Sequence, residues 1–174
     1  MKARLETDRL ILRAFTLDDV DAAYEMDQDP EVGRYTGEQG VGSIEEMRQR
    51  ILHNVIGDYE KHGFGRFAVE EKSSGDFIGF AGLKYLPEMD EVDIGYRFVR
   101  RCWGRGIATE AGEAVMNFGW GTLGLKRIIG FVLEGNRASI RVLEKLGLQF
   151  EKMIQEEDDV EAMCFAIERK SGYV

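Results

Sequence analysis

Residues 92–111 read Val92-Asp93-Ile94-Gly95-Tyr96-Arg97-Phe98-Val99-Arg100-Arg101-Cys102-Trp103-Gly104-Arg105-Gly106-Ile107-Ala108-Thr109-Glu110-Ala111. The first eight form a β-type run, Arg101 to Gly106 is too glycine-rich for a regular element, and Ile107 to Phe118 has helical patterning. Two glycines let the backbone turn tightly and aim several amide hydrogens at one spot. The helix that follows adds its unpaired N–H groups and roughly half a positive charge. That arrangement suits a pyrophosphate. Arg97, Arg100, Arg101 and Arg105 place four positive charges in nine residues with no acid among them, so phosphate is their natural partner; a tight βα turn with solvated arginines is the alternative on these residues alone.

Upstream, Phe64 to Glu71 and Phe77 to Tyr85 are β-type runs joined by Lys72-Ser73-Ser74-Gly75-Asp76, a loop with turn chemistry, and read as an antiparallel hairpin. Earlier still, residues 9 to 14 alternate as a weak strand, and Thr16 can cap a helix carrying Val20, Ala23 and Tyr24. Ser43 with Glu46 predicts a capping box, followed by Ile44, Met47, Ile51, Val55 and Tyr59 at helical spacing. Downstream come a strand at 127 to 133, a helix from Asn136 to Leu146 stopped by Gly147, and β-type runs near 148 to 154 and 162 to 168. The expectation is one α/β domain over residues 7–170, antiparallel at first, with a strand–helix–strand crossover at its centre.

The chain has 174 residues, 44% hydrophobic and 32% charged, which suits a single soluble globular domain. Its net charge of -9 gives no basic face for general nucleic-acid binding, so no nucleic-acid partner is expected. Two cysteines, Cys102 and Cys164, without CxxC spacing, and only two histidines support neither a disulfide framework nor a zinc site. No stretch has the apolar length of a signal peptide or a membrane span, so a cytoplasmic protein with no membrane partner is expected. Glu151 to Glu161 carries six acids, Glu151, Glu156, Glu157, Asp158, Asp159 and Glu161, and reads as a solvated loop; attraction of a cationic acceptor is the alternative.

Arg101-x-x-Gly104-x-Gly106 resembles the acetyl-CoA signature of the GNAT N-acetyltransferases. The longer string from Ile94-Gly95-Tyr96 to Trp103-Gly104-Arg105-Gly106-Ile107-Ala108-Thr109-Glu110-Ala111 is similar to the branch that includes the ribosomal-protein N-terminal (alanine/serine) acetyltransferases. That branch also carries Asn-x-x-Ser and a Lys-x-Gly helix end, here Asn136-Arg137-Ala138-Ser139 and Lys145-Leu146-Gly147. The resemblance covers nearly the whole chain and implies the single-domain acyl-CoA N-acyltransferase fold, with a mixed, mostly antiparallel sheet. It implies acetyl-CoA as co-substrate and no metal. Phe98 and Val99 would pair their backbone with the pantetheine arm; Arg101, Gly104, Arg105, Gly106, Ala108 and Thr109 would hold the pyrophosphate; Asn136 would contact the arm.

Two other readings use the same residues. Gly104-x-Gly106-x-x-Thr109 also follows a strand and opens a helix, as a dinucleotide site does, but threonine replaces the third glycine and the hairpin upstream is antiparallel. The literal GxGxxG at Gly119 to Gly124 follows a helix and precedes a strand, the reverse of the required context, and reads as a loop. A non-catalytic acyl-CoA sensor on the same fold is the third possibility.

Amine attack on a thioester needs a neutral amine and a stabilised departing thiolate. At pH 7 an α-amine with pKa about 8 is about one-tenth neutral, and a lysine near about 10.4 only about one part in 2,500. Glu88, Asp90, Glu91 and Asp93 crowd the start of the central strand; Glu91 or Asp93 is the favoured base, on one face by strand alternation, with water as the remaining option. Where many GNAT enzymes place a tyrosine acid in the helix after the asparagine, this chain has Leu143. In the branch resembled, the serine of Asn-x-x-Ser lies near the coenzyme sulfur, which makes Ser139 the candidate for protonating or solvating the thiolate. A hydroxyl bonded back to its own helix is the structural alternative. Packing roles are expected for Trp103 and Trp120 and none in catalysis for His53 and His62; the acceptor amine and the oligomeric state are not legible.

Overall fold

The computed structural model describes residues 3–35, 40–155 and 161–169. In chain order the elements are β1 (Leu5–Glu6), β2 (Leu10–Ala14), α1 (Val20–Asp27), α2 (Pro30–Gly33), α3 (Ile44–Arg50), a π-helical segment (Ile51–Ile56), α4 (Gly57–His62), β3 (Arg66–Glu71), β4 (Phe77–Leu86), β5 (Glu91–Phe98), α5 (Ile107–Gly121), β6 (Arg127–Val132), α6 (Arg137–Lys145), β7 (Gln149–Gln155) and β8 (Glu161–Glu168). The strands form one sheet in the order β1-β2-β3-β4-β5-β6-β8-β7. Every neighbouring pair is antiparallel except β5 and β6, which α5 connects as a crossover.

Alternation along the strands builds two cores. Phe67 and Val69 on β3, with Leu83 on β4 and Val92, Ile94 and Phe98 on β5, join Ile107, Ala111 and Val115 of α5 on one face. Ala68, between Phe67 and Val69, faces the other way into a smaller cluster with Val20 and Ala23 of α1 and Met47 of α3. Burying the side chains of one such layer contributes about 1.5–3 kcal/mol each, which holds the helices to their faces. On β4, Ile78 and Leu83 share the α5 face although an odd number of steps separates them. A bulge beside the Val69–Gly79 pair resets the alternation. Gly79 has φ 150°, and a Cβ there would lie 2.1 Å from the Arg97 carbonyl, so only glycine fits the bulge.

Four expectations change. The Ile44 to Tyr59 helix is real, but its middle turn is π-helical, with the Gly57 N–H donating to Leu52 O. In an α-helix, residues four apart drift by about 40° per step; the wider π turn counters the drift and keeps Met47, Ile51 and Tyr59 all buried. The capping box is half made: Ser43 Oγ accepts the Glu46 N–H, but the Glu46 carboxylate takes the Gly42 N–H instead of Ser43's own. Helix α5 continues past Phe118 through Gly119-Trp120-Gly121, so that part of the literal GxGxxG is helix rather than loop. Strand β1 adds a rung the sequence pattern does not announce.

Candidate active site

Strand β5 pairs with β4 along its whole length, from Leu86–Glu91 to Gly79–Phe98. With β6 it shares a single registered pair, Asp93 with Ile129, and among the described residues no backbone pairing continues towards Phe98. A slot therefore opens between β5 and β6, about 17 Å long at the usual strand rise. The Val99 N–H donates to Ile78 O at 2.9 Å, which makes Gly79–Phe98 a non-hydrogen-bonded pair. The N–H and C=O of Phe98, and two residues back those of Tyr96, thus point into the slot. Of the two residues expected to meet a pantetheine arm, Phe98 faces the slot, while Val99 spends its N–H on Ile78 and its carbonyl on the Cys102 N–H. The Phe98 carbonyl already accepts the Trp103 indole N–H at 2.9 Å, and the Trp103 ring is 47% exposed. Trp103 is thus a surface ring tied to the strand end and does not pack in the core, whereas Trp120 does.

At the Phe98 end of the slot lies the glycine loop. One 3-10 turn, Arg100–Cys102, is followed by Gly104 and Gly106 at φ 71° and 75°, and α5 begins directly after. The first bonded amide is that of Glu110, to Gly106 O at 3.0 Å. The amides from Gly104 to Thr109 find no acceptor among the described residues, so the loop and the first turn of α5 form a cradle of open N–H groups.

The four arginines do not stand free around this cradle. Arg97 bonds Asp27 on α1 at 3.1 Å, Arg100 grips Asp29 by both nitrogens, and Arg101 and Arg105 share the Glu71 carboxylate at 3.3 and 2.7 Å. The Arg105 hydrogen bond, then Arg101, pulls the Glu71 carboxyl below its ordinary range. These acids, with Asp76 of the hairpin turn, which Arg101 also meets at 3.4 Å, come from β3, the end of α1 and the α1–α2 corner, distant in sequence, which is why the local count of charges missed them. Arg101 and Arg105 remain about half exposed and keep unused N–H groups towards solvent.

Helix α6 packs on β6 through Leu143 and reaches β5 where Ser139 meets Tyr96. Asn136 caps it, accepting the Ser139 N–H at 3.1 Å through Oδ1, and its NH2 group has no acceptor among the described residues. The Ser139 hydroxyl does not turn back onto its helix: Oγ lies 2.9 Å from Tyr96 Oη, and the same phenol lies 3.1 Å from Ser139 O. Burial pushes the Tyr96 phenol up to about 12. Tyr96 escaped the sequence reading because only the fold brings α6 over β5. Leu143 is buried beneath, packed on Gly130.

Glu91 and Asp93 point to the face opposite Val92 and Ile94, as alternation requires, but each is in an ion pair. Glu91 meets Arg127 at 2.9 Å, in a cluster with Glu151. Asp93 is buried and meets Arg66 at 2.5 Å. Arg66 reaches it from β3 across β4, its guanidinium lying on Gly95 where a Cβ would be 2.4 Å away. Burial raises the Asp93 carboxyl above its ordinary value, against the pull of Arg66. The two carboxylates are therefore distinct: Asp93 stands at the closed end of the slot, and Glu91 faces the β6–β7 side. His53 bonds Gln49, and His62 lies against Tyr85 with the two rings tilted. Of the acidic stretch, Glu151 pairs with Arg127, whereas Glu156, Glu157, Asp158 and Asp159 lie outside the described residues. Among the described residues no group of three ligand-type side chains converges as a metal site, and no helix is long and apolar enough to cross a membrane.

A mostly antiparallel sheet opened at its one parallel pair, with an anion cradle at the mouth of the opening, defines the acyl-CoA N-acyltransferase fold; a doubly wound dinucleotide sheet is excluded by that topology. Residues 9–149 match the acetyltransferase (GNAT) domain, and the chain belongs to that family of acetyltransferases. It is 35% identical over 153 residues to the N-acetyltransferase YoaA of Bacillus subtilis (strain 168), covering 87% of this chain and 86% of the relative. Among solved structures, a GNAT-family acetyltransferase from Bacillus anthracis superposes with TM-score 0.80 at 26% identity, over 95% of this chain and 98% of that one. RimL, a ribosomal L7/L12 alpha-N-protein acetyltransferase solved in complex with Coenzyme A, superposes with TM-score 0.83 at 18% identity, over 98% and 100% of the two chains.

Proposed function

We propose that the protein transfers an acetyl group from acetyl-CoA directly to a primary amine, whether a protein N-terminus, a polyamine or a small molecule. The observation that carries this is the row of open amides from Gly104 to Thr109 at the mouth of a slot into which the Phe98 N–H points. The coenzyme of the RimL complex supports the same reading. The amides of Gly104, Gly106, Ala108 and Thr109, with the exposed edges of Arg101 and Arg105, hold the pyrophosphate; Phe98 and Asn136 align the arm. The thioester then lies between Ser139 and Asp93.

The acceptor amine enters from the α1–α3 face. Asp93, tied to Arg66, orients the water that carries the amine's proton away, and Ser139 donates to the thiolate as it leaves. Alignment alone supplies on the order of 7–11 kcal/mol, so a water-mediated base suffices. Calorimetric titration with acetyl-CoA, free CoA, NAD and NADH tests the donor: micromolar binding of the CoA species without the nicotinamides is expected, and nicotinamide binding alone would overturn the proposal. Turnover with any amine in an acceptor panel also excludes a non-catalytic acyl-CoA sensor.

A further inference from the structure

Where α6 meets β5, two hydroxyls share one hydrogen-bonding site. We propose that Tyr96 is a positioning residue for thiolate departure: its phenol donates to Ser139 Oγ and so turns the serine O–H towards the coenzyme sulfur as the C–S bond breaks. This rests on the acetyl-CoA reading above.

The geometry allows two proton arrangements. Tyr96 Oη lies 3.1 Å from Ser139 O and 2.9 Å from Ser139 Oγ, and a phenol has one hydrogen to give. If the phenol donates to the carbonyl, the serine hydroxyl donates back to the phenol and offers nothing to the slot. If the phenol donates to Oγ, the serine hydrogen is released into the slot, and accepting that bond strengthens Ser139 as a donor. Asn136 fixes the Ser139 backbone through its N–H, so the switch needs only hydroxyl rotations. Among the described residues no other hydrogen bond accounts for the Tyr96 hydroxyl, whose ring packs against the apolar core.

Burial determines the role. A phenol held up at about 12 stays protonated and available as a donor. It lies so far above a thiol near about 8.5 that surrendering its proton is uphill by more than about a thousandfold. The pair therefore stabilises the thiolate by hydrogen bonding and does not protonate it. In the transfer, the amine lone pair forms the N–C bond, the C–S bond breaks with its electrons on sulfur, the amine proton leaves to water, and sulfur takes its proton from water afterwards.

Titration of free CoA bound to the enzyme, followed by the ultraviolet absorbance of the thiolate, reads this without any acceptor. The bound thiol is expected to ionise about tenfold more readily than CoA in solution, as a charge-assisted hydrogen bond provides. Tyr96→Phe should bring it most of the way back to the solution value, with calorimetric affinity for CoA at low pH unchanged within a factor of about two. In turnover, Tyr96→Phe should lower kcat about tenfold with KM for acetyl-CoA unchanged, and should cost nothing further in a Ser139→Ala background. Bound CoA that ionises like free CoA, or a Tyr96→Phe loss undiminished without Ser139, overturns the relay while leaving the acetyl-CoA reading intact. Absence of CoA binding altogether sinks the acetyl-CoA reading first and the relay with it.

Discussion

At the Phe98 end of β5 the working groups are main-chain amides without partners; at the Glu91 end they are carboxylates that already have theirs. The open end is built from local chemistry, two left-handed glycines and a helix start, and needs little from the rest of the chain. The closed end depends on Arg66 from β3 and Arg127 from β6, so its electrostatics belong to the tertiary fold. Binding strength should therefore follow the loop, while stability and proton handling should follow the ion pairs.

The sharpest break in that contrast comes from Arg66→Met. Leaving Asp93 buried without its guanidinium is expected to cost about 3–5 kcal/mol of folding stability, read by urea unfolding. A loss no larger than that of an exposed pair, under about 1 kcal/mol, would mean that bulk solvent screens the Asp93–Arg66 pair and the end is not closed.

Next in size is the split between the two carboxylates. Asp93→Asn is expected to lower kcat about a hundredfold and to move the acidic limb of the kcat/KM profile, whereas Glu91→Gln should leave both within a factor of about two. Equal losses would erase the distinction between a slot-facing acid and one held by the Arg127 cluster.

At the open end, Gly106→Ala meets no clash, since the nearest atom to a new Cβ is the Arg9 guanidinium at 3.6 Å. It pays only for holding an L-residue at φ 75°, about 1–2 kcal/mol, and should weaken acetyl-CoA binding about tenfold by calorimetry. Unchanged binding would show that the arginines and not the amides do the holding.

The smallest effect concerns Glu110, which fastens the β1–β2 turn to the first turn of α5. Burial works against its charge, but Thr7, the Arg9 N–H and the Arg9 guanidinium outweigh it, and the folded carboxyl lies below its ordinary value. Its contribution is therefore present above the unfolded value near about 4.3 and lost as pH falls through the lower folded value. Glu110→Gln should melt slightly below wild type at pH 7, and the gap should close under acid conditions. A gap that persists unchanged into acid would show that packing, not charge, ties the turn to α5.

The same contrast marks what was legible in the sequence. The strand, glycine loop and helix are local patterns, so their order, the crossover and the Asn136 cap could be read from residue spacing. The partners of Arg97, Arg100, Arg101 and Arg105 could not, because Asp27, Asp29 and Glu71 lie some 30 to 70 positions away. Arg66 reaching Asp93 across β4, and Tyr96 meeting Ser139, are likewise products of topology. The π turn hid behind an apolar spacing that an uninterrupted α-helix would also have suggested.

Among the described residues, the single registered backbone pair between Asp93 and Ile129, with the Glu91–Arg127 ion pair beside it, makes the sheet two plates riveted at one end: β1 to β5 on one side, β6, β8 and β7 on the other. The α5 crossover acts as the brace that sets their angle. On the proposed reading, a coenzyme wedged into the gap would load the rivet and the brace together. Amide hydrogen exchange at Ile129 and along α5 should then slow in concert when the gap is filled, while the outer strands β1 and β7 keep their own pace.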